Sequence, residues 1–377
     1  GTAVRGDHHH MRCGCCCVVV LLLLLVASTP AVSVSVPVGR GGYDDDTTSV
    51  AFSVSGLGAG AHVAWQLHVA WSEVVGASGL FSGVPYGCAQ GSLVVASTQC
   101  VQPDQPLNVT ELVEQMQQWE QEGRIDSLQN MHMAPVYMFA GAKDSVVSSR
   151  VSTALRDQLN ELAVNLTDVH TVSAEYGVPT SNEGNPCAFL GPPFLNKCSY
   201  DGVQAMLSTV LGHTISPPVE PDLSQVIVFE QKDYVPENFT GYSGLQGEGI
   251  IYAPDDCRTE SLRCPVHFAF HGCDTSLDDL RENFARLGGY LGLAEANHII
   301  MIFPHIQPDE DKNPHGCFDW WGYTNEQYAQ KSGVQLSAFV QMAQEFLSPK
   351  AFLEKLQQRA LQKEEAPREE DRVVKRL

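Results

Sequence analysis

Positive charge is scarce in this 377-residue chain: 23 lysines and arginines face 44 aspartates and glutamates, a formal charge of −21. A surface that acidic repels phosphate backbones and anionic headgroups, which excludes nucleic acid and membrane surfaces as partners. Charged residues of either sign make up only 18% against 44% apolar, so the chain can bury a core and wholesale disorder is excluded. The longest hydrocarbon run, VVVLLLLLVA at 18–27, has ten residues. That is too short to span a bilayer, which takes about twenty. No glycine-rich nucleotide fingerprint follows a β-rich run, and no repeat recurs along the chain. None of the eight cysteines beyond residue 33 has a partner at the two-residue spacing of a zinc ribbon. Neither a cofactor nor a metal is expected.

What the front of the chain does carry, at about 11–31, has the layout of a secretory signal. Met11 and Arg12 open it, Cys13, Cys15, Cys16 and Cys17 follow, and the apolar run leads into small residues from Ala27 to Ser33. An uncleaved anchor is the other reading of that run. Residues 1–10, with three histidines at 8–10, precede Met11 and read as lying upstream of the start. Signal removal leaves Cys88, Cys100, Cys187, Cys198, Cys257, Cys264, Cys273 and Cys317, an even number. Sequence closeness pairs Cys88 with Cys100, Cys187 with Cys198 and Cys257 with Cys264; elimination leaves Cys273 with Cys317. Three glycosylation sequons, at Asn108, Asn165 and Asn238, agree with an oxidising lumen. The expected location is extracellular.

From residue 49 onward β-rich and helical stretches alternate. SVAFSVS (49–55), GASGLFSG (76–83), PVYMFAG (135–141) and a stretch near 169–174 read as strands, as do VIVFEQ, GIIYAP, VHFAFHG and HIIMIFP (298–304). Helical spacing marks 61–74, 110–121, 149–163, 201–212, 277–297 and 332–346. In 110–121 the apolar stripe is Leu112, Val113, Met116 and Trp119. This alternation predicts an α/β fold, a mostly parallel sheet with helices on both faces. The segment 349–377 holds eight basic and six acidic residues and reads as a charged tail, helical or disordered.

Three stretches carry chemistry. Gly56-Leu-Gly58-Ala-Gly60 follows a β-rich run and precedes a helix, the frame of a nucleophile elbow, Gly-x-Ser-x-Gly. Its central residue is glycine, which also suits a plain glycine-rich turn. Phe268-Ala-Phe-His-Gly-Cys273 is a buried-type strand ending in His-Gly, the form that delivers a backbone N–H to an oxyanion hole. It follows the elbow by about 215 residues instead of preceding it, which requires a circular permutation. Asn313-Pro-His-Gly-Cys317-Phe-Asp-Trp320-Trp321 is an aromatic cluster that suits either core packing or the lining of an apolar site.

On these motifs, together with GVPYGCAQ, VYMFAGAKDSVV and AEYGVPTSNEGNPCAFLGPPFLNKCSYDG, the chain resembles the secreted poly(3-hydroxybutyrate) depolymerase-like esterases, which are circularly permuted α/β-hydrolases. The resemblance covers roughly Asp46 to Phe346. It implies an α/β-hydrolase-like domain over 34–348, behind leader residues 1–33. By position, the family's nucleophilic serine falls on Gly58, its catalytic aspartate on Asp144 and its catalytic histidine on Tyr176. The oxyanion donors fall on the N–H groups of Ala59 and Cys273, and Phe318, Trp320 and Trp321 would line an apolar ester or polyester-like ligand. A serine hydrolase needs an oxygen nucleophile and an imidazole that takes its proton. Glycine supplies no oxygen, and a phenol with a pKa near 10 is a poor base. Two readings follow: a pseudoenzyme of the esterase family, or an active esterase with a displaced nucleophile or with sequence errors at 58 and 176. Ser53, Ser55, His62, His170, His267 and His271 are the candidate substitutes, each more naturally structural, and Asp144 would keep a structural hydrogen bond.

Overall fold

A computed structural model describes Gly1, residues 52–258 and residues 263–347. The chain divides into two units, Gly1–Val38 and Gly39–Leu377. Apart from Gly1, the described structure belongs to the second. The leader, the signal at 11–31 and the tail 349–377 lie outside the described residues.

Among the described residues eight strands form one sheet: β1 (Phe52–Leu57), β2 (Val75–Phe81), β3 (Pro135–Phe139), β4 (Asn165–Val169), β8 (Val226–Glu230), β9 (Glu248–Tyr252), β10 (Val266–Phe270) and β11 (Ile300–Phe303). Their order is β4-β3-β2-β1-β10-β11-β9-β8. All neighbours pair in parallel except β9, which runs antiparallel to both β11 and β8. The first described strand thus lies mid-sheet beside β10, with Ser53 opposite His267 and Gly56 opposite Phe270. This is the permuted arrangement: the strand that leads into the elbow comes first among the described strands, and β10 beside it arrives 214 positions later.

Side chains alternate across the pleat. Val136, Met138, Phe268 and Phe270 enter one apolar cluster, under helices α1 (Ala59–Ala70), α3 (Val109–Gln121), α4 (Ser149–Glu161) and α8 (Val334–Phe346). Tyr137, Phe139 and Ala269 enter the other, under α5 (Gly202–Val210), the π-helical segment Leu280–Leu287 and α7 (Tyr290–Asn297). Every residue of α1 is buried, so its polar members need internal partners. Gln66 donates to Asp319 O at 3.0 Å and His68 meets Ser78 Oγ at 2.9 Å. Among the described residues, neither ring nitrogen of His62 finds a hydrogen-bond partner.

Several boundaries differ from the sequence reading. The strand expected near 169–174 is β4 at 165–169; as an edge strand it alternates exposed and half-buried positions, so no buried run marks it. The helix expected over 277–297 is a short α6 (Leu277–Asp279) running into the π-helical segment, and α7 begins afresh after Gly289, whose φ of +92° breaks the helix. The short helix α2 (Leu93–Thr98) and a three-stranded parallel sheet of β5 (Val178–Thr180), β6 (Asn185–Pro186) and β7 (Leu195–Lys197) carried no periodicity long enough to read.

The expected disulfides are all formed: Cys88–Cys100, Cys187–Cys198, Cys257–Cys264 and Cys273–Cys317, the last closing 44 positions with Cα atoms 4.4 Å apart.

Candidate active site

β1, β2, β3 and β10 are mutually parallel, so their carboxyl ends share one sheet edge, where ligands of open α/β sheets bind. The turn after β1 is held by close packing. A Cβ on Gly60 would lie 2.2 Å from Phe270 O, and one on Gly56 would lie 2.3 Å from the Gly60 carbonyl carbon. Both positions require glycine whatever the chemistry. Between them Gly58 sits at φ 53°, ψ −116°, the strained pose of an elbow residue, and its carbonyl accepts from His62 N at 2.9 Å.

Tyr176 reaches this turn. A Cβ built on Gly58 would lie 1.9 Å from the Tyr176 Oη, so the phenol occupies the place a nucleophile's side chain would take. The tyrosine is held from several sides. Its ring packs edge-on against Phe194 at 5.6 Å, and Asn196 Nδ2 donates to the carbonyls of Glu175 and Tyr176 at 2.9 and 3.1 Å. Burial pushes its pKa further up, and the charges of Asp144 and Asp274 add to that. It stays neutral and is no base.

Asp144 lies in the turn after β3 and is fully engaged. Its Oδ2 accepts from Ser82 Oγ at 2.6 Å and its Oδ1 from the Val146 and Val147 amides at 2.9 and 2.8 Å. Burial raises its pKa against those three bonds. Glu175 ties this turn to the tyrosine loop, accepting from Ser145 N at 2.6 Å and Tyr176 N at 2.8 Å. Sequence reading missed Ser82 and Glu175. The positive φ of Ser82, 51°, is a backbone property without a sequence signal.

Two backbone donors stand at the positions expected for an oxyanion hole. Ala59 opens α1 and Cys273 follows β10, and among the described residues neither N–H donates to a backbone or side-chain acceptor. The wall beside them differs from expectation for Phe318. Its ring is fully buried against Phe270 at 5.1 Å and His271 at 4.8 Å, so it supports the cleft from the core instead of lining it. Trp321 is buried and Trp320 half-buried, both in the cluster that holds Ala59. Their loop hangs on Asp319, which accepts from the amides of Trp321, Gly322, Tyr323 and Thr324. A lone acid among aromatics was the readable signal for it.

The candidate substitutes are placed elsewhere. Ser53 and Ser55 each hydrogen-bond a ring nitrogen of His267 at 2.8 Å, inside the sheet. His271 bonds Gly272 O and Ile306 N, and exposed His170 pairs with Asp168 at 3.0 Å. His62 packs its ring on Trp320 at 4.3 Å. Burial lowers its pKa to about 3; the Ser82 backbone lies near enough to oppose that shift, though without the geometry of a hydrogen bond. Next to the elbow, Leu57, Phe194, Gly272, Asp274 and Phe284 border a cavity of only about 30 Å³, against roughly 300–1,000 Å³ for a ligand pocket.

A strand-to-helix elbow at the carboxyl edge of a parallel sheet, faced by backbone donors from the neighbouring strand's loop, defines the α/β-hydrolase class. No family model matches the chain. It is 32% identical over 296 residues to the poly(3-hydroxybutyrate) depolymerase of Delftia acidovorans, covering 77% of this chain and 58% of that protein. It thus spans little more than half of that relative's length. With the polyhydroxybutyrate depolymerase of Talaromyces funiculosus it shares 30% identity over 312 residues, 78% of this chain and 89% of the relative. Among solved structures, a PHB depolymerase complexed with an R3HB trimer matches at a TM-score of 0.70 and 29% identity, over 80% of this chain and 99% of that one. The PHB depolymerase from Penicillium funiculosum matches at 0.70 and 29%, over 79% and 96%. The chain belongs to the polyhydroxybutyrate depolymerase family.

Proposed function

We propose that this protein is a secreted, non-hydrolytic member of its family that holds an apolar ester or polyester-like ligand at its surface. One observation carries the reading. The Tyr176 hydroxyl lies 1.9 Å from where a Cβ on Gly58 would be, so the nucleophile's place is filled as well as vacated by chemistry. Asp144 is then a loop-holding carboxylate, and the donors at Ala59 and Cys273 lose the oxyanion they would otherwise serve. Surface retention draws support from Phe189 and Leu190, 50% and 43% exposed, beside the Pro192–Phe194 rim of the cleft. A relative's complex with an R3HB trimer makes a polyester the natural class to test. Four disulfides agree with export.

The test is adsorption of purified protein to poly(3-hydroxybutyrate) film, with soluble 3-hydroxybutyrate measured in the supernatant and a fluorophosphonate probe applied in parallel. Adsorption without product or labelling is expected. Product release, or a labelled serine, refutes the non-hydrolytic reading; failure to adsorb refutes the ligand.

A further inference from the structure

Two open cavities lie away from the elbow. One, of about 470 Å³, is bordered by Gln90, Gln99, Gln102, Gln105, Asn108 and Glu111. The second, of about 590 Å³, shares Gln90, Glu111 and Leu112 with the first and continues past Gln115 to Trp119, Glu326 and Tyr328. Together they make one groove between the Cys88–Cys100 loop and α3. Among the described residues no lysine or arginine borders either part, and Asp104, Glu111 and Glu326 do. An anionic ligand is therefore repelled, and an apolar one would have to strip water from several amides and carboxylates at a cost in each. A neutral ligand rich in hydroxyls, with one face to lay on an indole, meets the lining on both counts. Carboxamides and carboxylates bond hydroxyls, and the half-buried Trp119, braced edge-on by Tyr86 at 5.8 Å, supplies the apolar platform.

A saccharide of that kind has an attachment point at the rim. Asn108 belongs to the sequon Asn-Val-Thr and is exposed. Its Oδ1 caps α3 by accepting from Glu111 N at 3.5 Å, while among the described residues its Nδ2 donates to nothing. The amide nitrogen that would carry a glycan is thus free at the mouth of the groove. Asn165 on β4 and Asn238 are exposed as well, but neither borders this groove. We propose that Asn108 is N-glycosylated and that its first sugars fold back into the groove, stacking on Trp119 and bonding Gln115 and Glu111. The proposal requires passage through the secretory route and is independent of whether the elbow is catalytic.

The experiment uses full-length protein secreted from a eukaryotic host. Native protein is treated with peptide-N-glycosidase in heavy-oxygen water, and glycan release at Asn108 is timed by peptide mass spectrometry. The parent is compared with Trp119→Ala and Gln115→Ala; the second guards against a folding defect in the first. A docked glycan should be released about tenfold more slowly in the parent than in either variant, corresponding to about 1.4 kcal/mol of docking. Asn108→Asp keeps a helix-capping side chain and removes the sequon, and should lower the melting temperature of the parent. An unoccupied Asn108, or release equally fast in parent and variants, overturns the proposal.

Discussion

Gly58→Ser, made alone, should damage stability without restoring chemistry. The new Cβ would lie 1.9 Å from the Tyr176 Oη and 3.0 Å from its Cζ, where carbon contacts need about 3.5 Å. Relief requires the phenol to swing out of a site braced by Phe194 and Asn196, an overpacking cost of about 1–3 kcal/mol. A side chain at φ 53° adds strain of about 1 kcal/mol. The single variant should therefore lose about 3 kcal/mol. Tyr176→His shortens the intruding side chain, and in that background Gly58→Ser should cost only the backbone strain. The difference is a coupling of about 2 kcal/mol between two residues 118 positions apart in sequence. Activity should be non-additive as well. Serine without imidazole, or imidazole without serine, gains nothing, whereas both beside Asp144 should raise p-nitrophenyl butyrate turnover roughly 10²–10³-fold over the parent. Urea unfolding and turnover of the parent, both single variants and the double variant make the cycle. Additive stability changes would mean the phenol does not occupy the elbow, and parent turnover at ordinary esterase rates would refute the whole account.

Acid should weaken the fold through its neutral histidines. Burial lowers His62, His68, His267 and His271 from 6.5 to about 3, so unfolding takes up protons below pH 6.5. Stability is then complete above pH 6.5 and falls as pH drops toward 3, by up to about 1.4 kcal/mol per pH unit for each ring. Asp144 and Asp319, raised by burial, act with the opposite sign but only in the carboxylate range. Unfolding free energies equal at pH 7 and 4.5 would contradict this. Removing the Cys273–Cys317 bridge with a double Cys→Ser variant should cost about 4 kcal/mol, from the 44-position loop it closes; guanidinium melts under non-reducing conditions measure it. Asp319→Ala leaves four amides of the tryptophan loop without their acceptor and should cost at least about 3 kcal/mol, read by thermal melting and by near-ultraviolet dichroism of Trp320 and Trp321.

The sheet was legible because its central strands are continuous apolar runs bounded by turn residues, and the elbow because Gly56 and Gly60 are demanded by packing against the Phe270 carbonyl. Cysteine spacing gave the bridges, since three of the loops are too short to leave much choice. The misplaced β4 and the split at Gly289 fell where burial is one-sided or where backbone handedness, not composition, ends the element. The site was legible only as positions. That glycine and tyrosine stand where the family resemblance implies serine and histidine is a reading of the sequence; that the Tyr176 hydroxyl reaches the turn at Gly58 comes only from the structure. Phe318 misled because an aromatic beside a cleft motif reads the same whether it faces the cleft or the core.

Contact between those two positions makes their exchange directional. A tyrosine at 176 cannot seat its hydroxyl against the turn while any side chain projects from 58, so glycine there is a precondition for the observed packing. Glycine also relieves the strain that a positive φ imposes on other residues, and the phenol then fills the space with buried aromatic surface. On the non-hydrolytic reading proposed above, in which the turn carries no catalysis, each step is stabilising. Asp144 and Cys273 have structural employment that does not depend on hydrolysis: Asp144 holds two amides of its own loop and the Ser82 hydroxyl after β2, and Cys273 ties the loop after β10 to the tryptophan loop. Persistence of those residues is thus no sign of persisting activity. The same logic sets the order of repair: position 176 has to be opened before a serine at 58 can be accommodated.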